Sequence, residues 1–157
     1  MKLQKTTFKA GSKILLEDFD TRATSGTTKE EAQKICEENS AAIGDLSYRL
    51  YAEDQRSLLI SLQGMDTAGK DGTIRHIMRS VDAQATEVHP FKKPSAVELD
   101  HDFLWRIHQK VPARGNIGIF NRSHYEDVLV VRVHNLVPRK EWAARYDRIN
   151  DFEQHLA

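Results

Sequence analysis

The stretch LLISLQGMDTAGKDGTIRHIM, residues 58–78, decides the fold. It opens inside SLLISLQ (57–63), a near-continuous apolar run that reads as a strand buried on both faces. Three glycines and a lysine follow: Gly64, Gly69, Gly72 and Lys70. Then Ile74, Ile77, Met78 and Val81 recur at i, i+3, i+4 and i+7, the pattern of a helix laid with one side on a sheet. Strand, glycine loop and helix in this order make a phosphate cradle. Glycines let backbone N–H groups turn inward toward an anion, the helix N-terminus adds partial positive charge, and Lys70 adds a mobile full charge. The common form of such a loop, G-x-x-x-x-G-K-[ST], places a hydroxyl after the lysine to hold Mg²⁺. Here that position is Asp71. A carboxylate beside phosphates repels them unless a cation stands between. The loop holds a second acid, Asp66, whose presence is intelligible if it coordinates a bridging Mg²⁺.

Working outward, the pattern alternates strands and helices, the signature of an α/β fold with a parallel sheet. Before the loop, Thr28 and Glu31 form a capping box, and Ala32, Ile35, Cys36, Ile43, Leu46 and Leu50 predict a helix running to about Asp54, with the Cys36 thiol buried on its apolar stripe. After it, ATEVHPF (85–91) predicts a short strand ended by Pro90. Ser95 and Glu98 form a second capping box, opening a helix that carries Leu99, Phe103 and Ile107 on one face. PARG (112–115) is a turn and NIGIF (116–120) another short buried strand. In NRSHYEDVLVVRVH (121–134), Ser123 and Glu126 have the spacing of a third capping box, and the segment is assigned as helix against the strand propensity of VLVVRV. From Pro138 on, Trp142, Tyr146, Ile149, Phe152 and Leu156 fall at helical spacing. Residues 1–27 read as an irregular segment, and 28–157 as a single domain.

Bulk properties narrow the function. Lys plus Arg equals Asp plus Glu at 23 each, so no global positive field gathers nucleic acid, and no basic stripe with interleaved aromatics is present. Any anion site must come from local clustering. The single cysteine excludes an intramolecular disulfide and a multi-cysteine metal site and suits a reducing cytoplasm. No apolar run reaches the length of a membrane span, and the seven histidines show no metal-ligand spacing.

Three segments, GMDTAGKDGT (64–73), FKKPSAVELDHDFLWR (91–106) and GIFNRSHYEDVLVVRVH (118–134), together resemble polyphosphate kinases of the second family. The resemblance implies a P-loop kinase-like three-layer sandwich around a parallel sheet. It also implies a phosphotransferase that moves a terminal phosphate between inorganic polyphosphate and nucleotides with Mg²⁺. By position, Asp66 and Lys70 match the acid and lysine of the phosphate loop, Asp66 serving the metal and Lys70 the transferring group. Gly64, Ala68, Gly69, Asp71, Gly72 and Thr73 complete the substrate-binding loop. Asn121 and Arg122 match the end of the Walker B strand, where many members carry Asp-Arg. The Asn-Arg version followed by Glu126 resembles the subset acting on both nucleoside mono- and diphosphates. Lys92, Arg106 and Arg132 match basic positions for contacting phosphates. His101 and His124 are read as structural hydrogen-bonders, since transfer from a polyanion needs little acid–base help. The implied partners are polyphosphate and AMP, ADP or ATP, with guanine nucleotides also candidates, in a homo-oligomer.

Two features depart from the family pattern. The chain stops before the basic lid, two further strands and helical part that the resemblance implies. It would then supply only strands 2, 3 and 1 of a 2-3-1-4-5 sheet, leaving LLISLQ as an unpaired edge. Such a chain is expected to bind phosphate but transfer it poorly, for want of a lid. Alternatives are an ATP-dependent nucleotide kinase, against which Asp71 speaks, and a non-catalytic paralogue that binds polyphosphate or nucleotide.

Overall fold

The computed structural model describes residues 13, 15, 17, 24 and 26–157. The expectation of an irregular segment over 1–27 therefore lies almost wholly outside the described residues. The chain divides into two compact units, Met1–Asn39 and Ser40–Ala157. None of the described residues of the first unit is buried, and Cys36 is exposed, which corrects the expected packing thiol. Helix α1 spans Lys29–Glu53 and opens on the anticipated capping box: the Thr28 N–H donates to Glu31 Oε2 (2.9 Å) and the Glu31 N–H to Thr28 Oγ1 (3.2 Å).

The second unit is built on three parallel strands, β1 (Leu58–Leu62), β2 (Thr86–Pro90) and β3 (Ile117–Asn121), in the order β1-β3-β2. Register is flush: Ile119 pairs with Ile60 on one side and Val88 on the other, and Asn121 with Leu62 and Pro90. All three carboxyl ends therefore meet at one sheet edge, where open α/β sheets bind ligands. The central β3 alternates its side chains between two cores. Ile117 and Ile119 join Ile74 and Val81, with Leu50, Ile60 and Met78 packed around them. Phe120 faces the other way, into Phe91, Leu104, Ile107 and Phe152. On that side Gly118 leaves room for Pro112, whose Cδ would lie 2.9 Å from an added Cβ. β1 is an edge strand with Leu58 and Ser61 exposed, so LLISLQ is not covered on both faces.

Helix α2 (Lys70–Ile77) packs Ile74 on the sheet. The helix expected after Ser95 is broken in two. The Ser95/Glu98 capping box forms, but α3 covers only Ala96–Leu99 and α4 only Trp105–His108. Between them the Asp102 carboxylate accepts from the Leu104 N–H at 2.9 Å, a local side-chain bond that competes with helix. Helix α5 (Glu126–Val133) and α6 (Arg139–Leu156) follow. The third capping box does not form. Ser123 Oγ accepts from the Tyr125 N–H (3.3 Å), α5 starts after Tyr125, and the Glu126 carboxylate is engaged elsewhere. On α6 the buried face is Arg145, Ile149 and Phe152, while Tyr146 and Leu156 stay partly exposed. No helix of the described residues is long and apolar enough to cross a membrane.

Candidate active site

The loop after β1 is shaped by two residues with positive φ, Thr67 (67°) and Gly69 (91°). Gly69 caps α2, and the amides of that helix's first turn have no intrahelical acceptor. The Lys70 ammonium folds over the loop and donates to the carbonyls of Gly64 and Met65, both at 2.8 Å. Two of its three protons are thus held at the loop, and the third is available to an anion. A cavity of about 400 Å³ opens here, lined by Asp66, Thr67, Gly69, Lys70, Asp71, Gly72, Arg75, Asn121 and Arg122.

The opposite wall is the turn that ends β3. Arg122 has φ 64°, a left-handed conformation that a residue with a Cβ adopts only when its surroundings impose it. Its N–H is held by the Leu62 carbonyl (3.0 Å), extending the strand ladder by one residue. Its guanidinium forms an ion pair with Asp66 across the cavity and lies 3.6 Å from Glu126. Glu126 in turn accepts from Gln63 Nε2 (2.5 Å), tying α5 to the end of β1. Asn121 Nδ2 donates to Asp71 Oδ1 at 2.7 Å. Asn121 therefore orients the carboxylate that stands where a hydroxyl is usual.

These donors suit Mg²⁺, which takes one or two carboxylates and fills its other positions with water and phosphate oxygens. Asp66 is largely solvent-exposed, and Asp71 has one oxygen outside its bond to Asn121. Among the described residues no three His, Cys, Asp or Glu side chains gather into a dedicated protein cage.

Arg122 also lines a second, larger cavity of about 1,110 Å³, whose walls include Lys92, Phe103, Arg106, Glu126, Asp127 and Arg145. Three charged residues here are buried. Arg106 donates to the Lys92 carbonyl (2.8 Å), lies over the Phe91 ring, and is 3.9 Å from both Glu98 and Asp127. Arg145 donates to the Asp127 carbonyl (3.1 Å) and carboxylate (3.4 Å) and to Glu141 (2.6 Å), over the face of Phe103. Burial pushes the Asp127 carboxyl up, and the two guanidinia offset this only in part. The Ser95 backbone and hydroxyl hold Glu98 below the usual carboxylate range.

Below the turn, Glu153 of α6 accepts from His124 Nε2 (3.0 Å) and from the Tyr125 hydroxyl. Burial by itself would raise the Glu153 carboxyl; the two hydrogen bonds and the nearby imidazole more than reverse this and hold it low. Burial and the same carboxylate push the Tyr125 phenol up to about 12.

Of the residues singled out from sequence, Asp66, Gly69, Lys70, Asp71, Gly72, Asn121 and Arg122 share the smaller cavity, and Lys92, Arg106 and Glu126 the larger. Gly64, Ala68 and Thr73 do not line either cavity; the Thr73 hydroxyl bonds back to the Gly69 carbonyl (3.2 Å). Arg132 is brought to neither cavity: it is exposed, with its guanidinium over the Trp142 ring. Sequence reasoning missed Arg75, Gln63, Asp127 and Arg145. Arg75 lies one helical turn beyond Asp71 on the exposed face of α2, a spacing that could have flagged it. Asp127 and Arg145 are charges on buried helix faces, and their pairing across α5 and α6 needs tertiary structure.

The family model for polyphosphate kinase 2 (PPK2) matches residues 26–157. The AMP/ADP-polyphosphate phosphotransferase of Meiothermus ruber is 55% identical over 108 residues, 69% of this chain and 40% of that protein. The ADP-polyphosphate phosphotransferase of Rhodopseudomonas palustris is 44% identical over 141 residues, 82% of this chain and 49% of that protein. The crystal structure of polyphosphate kinase 2 from Arthrobacter aurescens superposes with a TM-score of 0.87 at 41% identity, covering 93% of this chain and 54% of that one. The chain thus spans about half the length of the curated relatives it matches.

Proposed function

Because the chain belongs to the polyphosphate kinase 2 family, with its P-loop kinase-like α/β fold, we propose that it is the part of a polyphosphate:nucleotide phosphotransferase that grips the transferring phosphate. The observation that carries this reading is the place of Arg122, which lines both cavities at once. One substrate's phosphates lie in the glycine loop. The other enters the larger cavity with its phosphate end toward Arg122. The terminal phosphoryl group passes between them beside that guanidinium.

Phosphoryl transfer spreads negative charge over the equatorial oxygens, so positioned cations supply most of the catalysis. Lys70 and the first-turn amides of α2 hold the phosphate in the loop. Arg122 suits bidentate contact with phosphate oxygens, and without ligand it is paired with Asp66 across the cavity. Mg²⁺ held here would supply neutralisation of the phosphate charge. Asp66 is the residue that would hold it, with Asp71 and Asn121 beside it. Gln63, through Glu126, fixes the far side of Arg122. In the larger cavity Lys92 and Arg106 face the phosphates of the second substrate, and apolar residues such as Phe103 and Leu136 give a base or sugar a surface to rest on. The names of the Meiothermus and Rhodopseudomonas relatives favour AMP and ADP as acceptors. A cytoplasmic, homo-oligomeric protein belongs to the same reading.

The test is transfer of labelled phosphate to AMP and ADP, from polyphosphate or from ATP, with and without Mg²⁺, by this chain and by the full-length Rhodopseudomonas relative. Polyphosphate-dependent, Mg²⁺-dependent labelling that Lys70→Ala abolishes supports the reading. Labelling from ATP alone, or labelling insensitive to Lys70→Ala, contradicts it.

A further inference from the structure

The Asn121–Arg122 turn is pinned on one side by β1 and the loop. On the other side it runs into Ser123 and His124, which are 0% and 1% exposed, and into Tyr125. We propose that Glu153 is a positioning residue for this turn: by accepting from both His124 and Tyr125 it clasps α6 to the chain just after Arg122 and so fixes the left-handed backbone that aims the guanidinium. The inference rests on the reading of Arg122 as a phosphate contact.

Three observations support it. First, the platform is anchored. Phe152 and Ile149 of α6 are buried in the unit, and Phe152 packs edge-on against the His124 ring at 5.4 Å. Second, one oxygen, Oε1, takes both hydrogen bonds, so a single carboxylate couples two successive residues. Third, the arrangement dictates a proton position. An ionised carboxylate only accepts, so His124 Nε2 must carry hydrogen. His124 Nδ1 is buried with no partner, and an unpaired lone pair is better tolerated there than an unpaired N–H. The nitrogen facing Glu153 therefore carries hydrogen. Held between Glu153 and Phe152, the ring is a strut between α6 and the turn.

The experiment compares the unmodified chain with Glu153→Ala and Glu153→Gln. The readouts are amide hydrogen exchange, the ¹⁵N spectrum of the histidine rings, and affinity for tripolyphosphate with Mg²⁺. In the unmodified chain His124 is expected to show a hydrogen-bonded Nε2–H that Glu153→Ala removes. In Glu153→Ala the Arg122 and Tyr125 amides should exchange faster while Ile119, in the centre of β3, keeps its protection. Tripolyphosphate binding should weaken about tenfold, the scale of one charge-assisted hydrogen bond. Glu153→Gln, which keeps an accepting oxygen, should recover most of both. Unchanged Arg122 exchange in Glu153→Ala overturns the inference. So does a rise shared equally by Ile119, which would mark Glu153 as a contributor to overall stability only. If the unmodified chain has no affinity for tripolyphosphate, the proposed function fails, and the exchange data still decide the clasp.

Discussion

Replacing Arg122 by glycine should weaken phosphate binding and yet leave the protein more stable than the alanine variant. Arg122 sits at φ 64°. Holding an L-residue in that region costs roughly 1–2 kcal/mol, which alanine retains and glycine relieves. Glycine gives back about 0.4–1 kcal/mol through the greater freedom of its unfolded chain. Both variants lose the same ion pairs to Asp66 and Glu126, so those cancel in the comparison. The balance favours Arg122→Gly over Arg122→Ala by about 0.5–1 kcal/mol. At about 2–4 °C per kcal/mol for a chain of this size, the glycine variant should melt about 1–4 °C higher. Loss of a charge-assisted phosphate contact is worth about 1.5–3 kcal/mol, so both variants should bind Mg²⁺–tripolyphosphate some ~10- to 150-fold more weakly. Calorimetry supplies both quantities, as a melting scan and a titration. An alanine variant as stable as the glycine one would refute the strained backbone. Undiminished affinity in either variant would refute the phosphate contact.

Lys70→Met should cut tripolyphosphate affinity by a similar factor, about 10- to 150-fold, in the same titration. Its melting temperature should hardly change, because the loop carbonyls it leaves lie where water can replace the ammonium; Met65 is 85% exposed. Phe120→Ala removes a 0%-exposed ring stacked edge-on against Phe91 at 4.8 Å, and urea unfolding should show a loss of about 3–5 kcal/mol. Tyr125 carries a folded pKa of about 12 against 10.0, so its proton-bound form is favoured by folding. The stability this confers is complete below pH 10 and is lost as pH rises from 10 through about 12. Urea midpoints across that window should fall more steeply for the unmodified chain than for Tyr125→Phe, and parallel curves would contradict the raised phenol, set first by burial and then by Glu153.

The sheet and the loop were legible in sequence because both are local. Apolar runs marked β1 and β3, and the segment 85–91 marked β2, to within a residue or two, and Gly64, Gly69 and Lys70 marked the loop that opens α2. The edge position of β1 came from resemblance, since an apolar run reads the same whether its strand has one neighbour or two. Capping boxes were right where the helix had no stronger claim on its residues, at Thr28 and Ser95. The one at Ser123 failed because Glu126 is drawn to Gln63 and Arg122 by a contact 63 residues away in sequence, which outweighs a local cap. The stripe from Leu99 to Ile107 has correct helical spacing, but Asp102 bonds its own backbone and breaks the run. The buried set of Arg106, Asp127 and Arg145 was hidden for a different reason. Charges read as solvated until a tertiary partner is known, and these partners lie on three separate helices.

The most direct measurement is a crystal structure of the chain grown with pyrophosphate and Mg²⁺. Phosphate oxygens should fill the hollow between Gly64 and Gly72, with the Lys70 ammonium turned from the carbonyls of Gly64 and Met65 onto them and the cation on Asp66. Pyrophosphate bound elsewhere, with that ammonium still on the loop carbonyls and Asp66 still paired with Arg122, would contradict the phosphate cradle and the function built on it.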